Sequence, residues 1–159
     1  MYEYLLVASI ILILFYFLLD FIYSTTKFNI NKIYEYPNMI SNDQINEIIR
    51  LATPLVAPSP VIGDNGVNTV MNNVRTSHNT FLSDKYPVVQ DIYDKLSNII
   101  GIDKSHFEDL QVVRYHPGQL YKAHWDACYE ESKCNDFLKR GGNRYATFLL
   151  YLNDDFQGG

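Results

Sequence analysis

The sequence predicts an α+β domain behind an apolar N-terminal segment, and three patterns predict it. Apolar residues recur at helical spacing in two stretches ahead of Gly101. Strand-like stretches separated by turn residues come after it. An apolar run of about 20 residues opens the chain. Helices first and strands later is the order of a domain whose helices support one face of a sheet.

The opening run is the most distinct element. From Tyr4 to Leu19 the only polar side chain is Ser9, and Phe21, Ile22 and Tyr23 resume the run after Asp20. At about 1.5 Å per residue, about 20 residues cross a hydrocarbon core of about 30 Å. Tyr2, Tyr4, Tyr16 and Tyr23 lie near its ends, as interfacial aromatics do. Glu3 precedes the run and no small-residue cleavage site comes after it, so residues 1–24 are expected to form an uncleaved transmembrane signal anchor. Lys27 and Lys32 lie beyond the span and Glu3 offsets the other end, which leaves the orientation open.

Residues 25–32 read as a linker, and the domain is expected over 33–159. Ile33 to Tyr36 predicts a strand. Ser41 begins a helix with Gln44 as its capping-box partner, and Ile45, Ile48, Ile49 and Ala52 form its apolar face. Prolines and glycines mark Thr53 to Asn68 as a loop, and Val70 to Arg75 can be extended. A second helix is predicted from Tyr86 to Ile100, stopped by Gly101. Strands are predicted at Leu110–Tyr115, Leu120–Asp126 and Tyr145–Leu152, with a Pro117-Gly118 turn between the first two. Hydrophobic content of 47% suits a packed core. The net charge of −5 argues against nucleic acid as a partner.

His124-Trp125-Asp126 carries the chemistry. Alternate residues of an extended chain share a face, so His124 and Asp126 point the same way and Trp125 points oppositely. An imidazole and a carboxylate so placed supply two positions of the 2-His-1-carboxylate triad of non-haem iron oxygenases. Spacing alone leaves a surface pair as the rival reading.

Context narrows the choice. LQVVRYHPGQLYKAHWD, from Leu110 to Asp126, resembles the catalytic core of the prolyl 4-hydroxylases: a strand ending in Tyr, a Gly-Gln turn, a Tyr, then His-x-Asp. GGNRYATFLLYLN, from Gly141 to Asn153, is similar to that family's next strand, and Gly158-Gly159 to the start of its Gly-Gly-Glu-Thr turn. VRTSHNTFL, from Val74 to Leu82, resembles its Arg-Thr-Ser segment. These motifs stand in the family's order from about Ile33 to Gly159.

The resemblance implies a double-stranded β-helix (jelly roll), incomplete here, and hydroxylation of peptidyl proline using Fe(2+), 2-oxoglutarate, O2 and L-ascorbate. It assigns His124 and Asp126 as metal ligands, Tyr115 to the 2-oxoglutarate carboxylate, and Thr147 to the same pocket. Tyr121 and Arg144 would face the groove of a proline-containing peptide. As plain structure, Tyr115 and Tyr121 are half-buried strand tyrosines, and Arg144 is a charge at a sheet edge. Arg75 and Ser77 read as structural, and His78, His106 and His116 as solvent-facing.

The family's second metal-binding His and its cosubstrate Lys lie beyond the positions this sequence reaches, so a fragment with exposed apolar strand faces, among them Phe148, Leu149, Leu150 and Leu152, is expected. Cys128 and Cys134 form a disulfide in an oxidising lumen or stay thiols in the cytosol. The resemblance implies an address at the endoplasmic reticulum membrane and an expected lumenal domain, with the orientation left open by the flanking charges. A sibling dioxygenase acting on lysine and a membrane-tethered, non-catalytic peptide binder stand as alternatives.

Overall fold

The computed structural model describes residues 12–18, 28–29, 31–62, 68–69, 73–128 and 142–157. Within them, residues 12–18 are helical (α1), followed by α2 (Asn42–Ala52) and α3 (Pro87–Ile100). The strands are β1 (Ala57–Pro58), β2 (Val61–Ile62), β3 (Asn68–Thr69), β4 (His78–Leu82) and β5 (Leu110–Arg114). No described helix is long and apolar enough to cross a membrane. Of the predicted anchor over 1–24, all but 12–18 lies outside the described residues.

Both predicted helices form, for the reasons their sequences offer. Ser41 caps α2 through a reciprocal pair: the Gln44 amide donates to Ser41 Oγ at 3.2 Å, and the Ser41 amide to Gln44 Oε1 at 3.1 Å. In α3, Pro87 fills the first turn, where no intrahelical N–H is needed. Gly101 ends that helix at φ 72°, a left-handed conformation natural to glycine, with its N–H on Ser97 O at 2.8 Å.

The sheet is antiparallel in the order β1-β4-β5. β4 pairs with β5 along its whole length, from His78 opposite Arg114 to Leu82 opposite Leu110. The core lies between this sheet and the helices, where Ile48, Leu82, Val89 and Ile92 are almost wholly buried. Each such side chain contributes about 1.5–3 kcal/mol through burial. Lys95 ties α3 to the start of α2, donating to Met39 O at 2.9 Å and Gln44 Oε1 at 3.1 Å.

Several strand predictions need correction. Ile33–Tyr36 belongs to no described strand. The predicted loop after Thr53 holds a 3-10 turn (Thr53–Leu55) and three two-residue strands. The central strand β4 has no counterpart among the predicted strands, because His78, Asn79 and Thr80 lack apolar alternation; two neighbouring strands, not hydrophobicity, make it a strand. In Leu120–Asp126 the only ladder contact among the described residues is an isolated bridge from Tyr121 to Arg75.

Tyr145–Leu152 carries no ladder among the described residues, yet its burial alternates. Phe148, Leu150 and Leu152 pack against the core, while Tyr145, Leu149 and Tyr151 face outward. The expected exposure of all four apolar residues of this segment is therefore corrected to one side of it: Leu149 is exposed and the other three are partly buried. His78 also differs from its solvent-facing expectation, since its Nδ1 is buried with no hydrogen-bond partner among the described residues.

Candidate metal centre

The segment from Tyr121 to Asp126 pairs through an isolated bridge from Tyr121 to Arg75 among the described residues, and side chains, not a ladder, fix the positions of His124 and Asp126. His124 Nε2 and Asp126 Oδ1 come within 3.2 Å of each other. Each is about two-fifths exposed, so the pair opens to solvent. Two donors in adjacent positions on an octahedral ion, each at about 2.1 Å, stand about 3 Å apart. The pair therefore has the spacing of two neighbouring ligands.

Its chemistry fits as well. His124 Nδ1 lies 2.8 Å from the Lys122 carbonyl, which can only accept, so Nδ1 carries hydrogen. The other nitrogen, Nε2, is the one that faces the carboxylate. A bare Nε2 lone pair opposite a carboxylate oxygen calls for a cation between them, either a proton on the ring or a metal ion. The carboxylate's second oxygen is taken: Thr147 Oγ1 donates to Asp126 Oδ2 at 2.7 Å. A backbone carbonyl behind the histidine and a hydroxyl behind the carboxylate are the supports that orient metal ligands.

Stacking fixes the imidazole plane. The Tyr121 ring lies on His124 with centroids 3.7 Å apart, and the Arg75 guanidinium sits 4.5 Å from the Tyr121 centroid. Arg75 is itself buried, and its Nε donates to Ser77 Oγ at 3.0 Å; Ser77 in turn donates to Ser59 Oγ at 3.1 Å. These residues, with Thr76, His78 and Gln119, line a cavity of about 280 Å³ beside the stack. Tyr121 is thus more than a half-buried tyrosine, since it couples the buried Arg75 to the histidine.

Arg144 is tied to groups of its own chain. Its Nε and Nη2 donate to the two Glu108 oxygens at 2.6 and 2.8 Å, and its Nη1 donates to the Asp126 carbonyl at 3.1 Å. The hydrogen-bonded Glu108 carboxylate raises the Arg144 pKa further above its ordinary value. Asn143, next to it, forms two 2.9 Å hydrogen bonds with the backbone of Cys128, which bring these two distant residues together. Cys128 is disulfide-bonded, and Cys134, the chain's other cysteine, lies outside the described residues.

Tyr115 comes directly after β5 and is half exposed. No group of three or more His, Cys, Asp or Glu gathers as a metal site among the described residues. No sequence motif marks Glu108, and the quoted stretch from Gly141 to Asn153 does not single out Asn143. Their roles depend on partners 36 and 15 positions away, which no local pattern announces.

No family model matches the chain. Individual relatives do. It is 40% identical over 125 residues to prolyl 4-hydroxylase 2 of Arabidopsis thaliana, covering 78% of this chain and 40% of that protein. It is 34% identical over 141 residues to an Acanthamoeba polyphaga mimivirus protein described as a candidate prolyl 4-hydroxylase, covering 88% of this chain and 56% of that one. Prolyl 4-hydroxylase 1 of Arabidopsis thaliana is 35% identical over 125 residues, or 77% of this chain and 43% of the relative. The chain spans about half the length of the curated relatives it matches.

Proposed function

The chain belongs to the prolyl 4-hydroxylase family over the segment it shares with these relatives, and on that footing we propose that it serves iron(II)- and 2-oxoglutarate-dependent hydroxylation of peptidyl proline at C4. The observation that carries the reading is the His124–Asp126 pair, 3.2 Å apart, with the histidine tautomer set by the Lys122 carbonyl. Iron(II) bound there with the keto-acid and O2 supplies the oxidising power for a C–H bond.

The chain's own residues bind and orient. His124 Nε2 and Asp126 Oδ1 hold the ion, and the carboxylate offsets part of its charge. Thr147 keeps the Asp126 carboxylate from rotating. Tyr115 binds the 2-oxoglutarate carboxylate through its hydroxyl, with Thr147 at the border of that pocket. Tyr121, stacked on His124, forms the wall nearest the target proline, and Arg144 borders the peptide groove.

The test incubates the chain with iron(II), 2-oxoglutarate, L-ascorbate and a proline-containing peptide. Succinate release coupled to one added oxygen on proline supports the reading. An added oxygen on lysine selects the sibling dioxygenase instead. Peptide binding with no turnover selects the non-catalytic binder.

We propose further that residues 1–24 anchor the chain in the endoplasmic reticulum membrane with the domain in the lumen. The apolar, helical and solvent-facing side chains of 12–18 support an anchor, and the disulfide at Cys128 suits an oxidising compartment. Release of the chain from membranes by alkaline carbonate would sink the anchor.

A further inference from the structure

The Glu108–Arg144 pair is exposed, with side chains 59% and 36% accessible. Exposed ion pairs contribute little to stability, so its bidentate geometry calls for another account. Its surroundings provide one. Behind Glu108 stands the core: the buried Tyr93 of α3 donates its hydroxyl to the Glu108 carbonyl at 2.7 Å. Ahead of it, Arg144 takes both Glu108 oxygens with one side of its fork and the Asp126 carbonyl with Nη1. Tyr93, Glu108, Arg144 and Asp126 thus form one continuous path from helix α3 to the backbone carbonyl of Asp126 in the candidate centre.

We propose that Glu108 is a positioning residue for Asp126, acting through Arg144 to set how tightly the centre holds its metal. The inference rests on the metal-binding reading of His124 and Asp126. Among the described residues, Tyr121 to Asp126 make one isolated bridge, from Tyr121 to Arg75, so the Asp126 backbone needs another restraint. A planar guanidinium meets the need where an ammonium cannot, because its fixed fork holds one carboxylate edge-on while a further N–H reaches a carbonyl. Thr147 fixes the carboxylate's rotation, and the Glu108–Arg144 pair fixes where its backbone stands.

Titration of the whole chain with Co2+, monitored by visible absorbance, tests this beside thermal melting. Glu108→Ala is expected to weaken Co2+ binding by about 10–100-fold, the usual cost of removing a support behind a metal ligand, with melting little changed. The reversed pair, Glu108→Arg with Arg144→Glu, re-forms the ion pair but leaves no donor for the Asp126 carbonyl, so its affinity is expected to stay low. Recovery of affinity in the reversed pair would show a generic ion pair and overturn the proposal. Wild-type affinity in Glu108→Ala, with binding lost in Asp126→Ala, overturns the positioning role and leaves the metal reading standing. Absence of Co2+ binding by the wild-type chain removes that reading, and the positioning role with it.

Discussion

The half of the molecule built from α2, α3, β4 and β5 and the half built from 121–126 and 142–152 are held together by different forces. In the first, backbone ladders and apolar burial reinforce each other, and Leu82, Val89 and Ile92 have no solvent exposure. In the second, the backbone is irregular, and order comes from side chains: a ring stack, a hydroxyl on a carboxylate and a forked ion pair. Burial is non-directional and tolerates imprecision, whereas hydrogen bonds specify where an atom stands. Stability is therefore concentrated in the first half and donor placement in the second. Tyr93 is where the two meet, packed in the core at its ring and bonded to Glu108 at its hydroxyl.

Substitutions can break this division. Ile92→Ala, in the fully buried half, is expected to cost about 2–5 kcal/mol in urea unfolding while Co2+ affinity below the transition stays unchanged. A parallel loss of affinity would merge the two halves. Thr147→Val should do the reverse, lowering Co2+ affinity about 10–100-fold with an unaltered melting curve, because its hydroxyl supports Asp126 and the residue is exposed. Ser41→Ala removes one side of the α2 capping box and is expected to cost about 1 kcal/mol, again with no change in affinity.

The smallest effect sharpens the boundary itself. Burial, and after it the charges of Asp109 and Asp84, pushes the Tyr93 hydroxyl from its ordinary 10.0 up to about 12. Folding thus favours the neutral phenol. The contribution is complete below pH 10 and is lost as pH rises through about 12, because the unfolded chain releases its proton first. Tyr93→Phe should flatten the stability profile in that window, at a cost of about 1 kcal/mol at neutral pH for the lost hydrogen bond. An unchanged profile would place the alkaline transition elsewhere.

Much of the first half was legible residue by residue. Ser41 with Gln44, and Gly101 after an apolar stripe, are local signals whose partners lie within one helical turn. Leu110–Arg114 was legible as a strand because its β-branched pair, Val112 and Val113, stands between turn signals. β4 was not, since its place between β1 and β5 is a property of the sheet. The two later strands were read from stretches set off by turn residues, in which an extended chain would alternate its two faces. That alternation survives as one-sided burial of Phe148, Leu150 and Leu152, but alternation shows which side faces the core and not whether a ladder forms.

By itself, the sequence determined the two capped helices, the family, and the placing of an imidazole two positions from a carboxylate. Each is written within a short span of chain, where neighbours along the backbone are neighbours in space. Only the tertiary structure decided that Nε2 of His124 is the nitrogen facing Asp126, that Thr147 holds the other carboxylate oxygen, and that Glu108 reaches Asp126 through Arg144. The contacts of Thr147 and Glu108 join residues that are distant in the chain, and the tautomer is set by a backbone carbonyl whose direction depends on how the chain is folded around it.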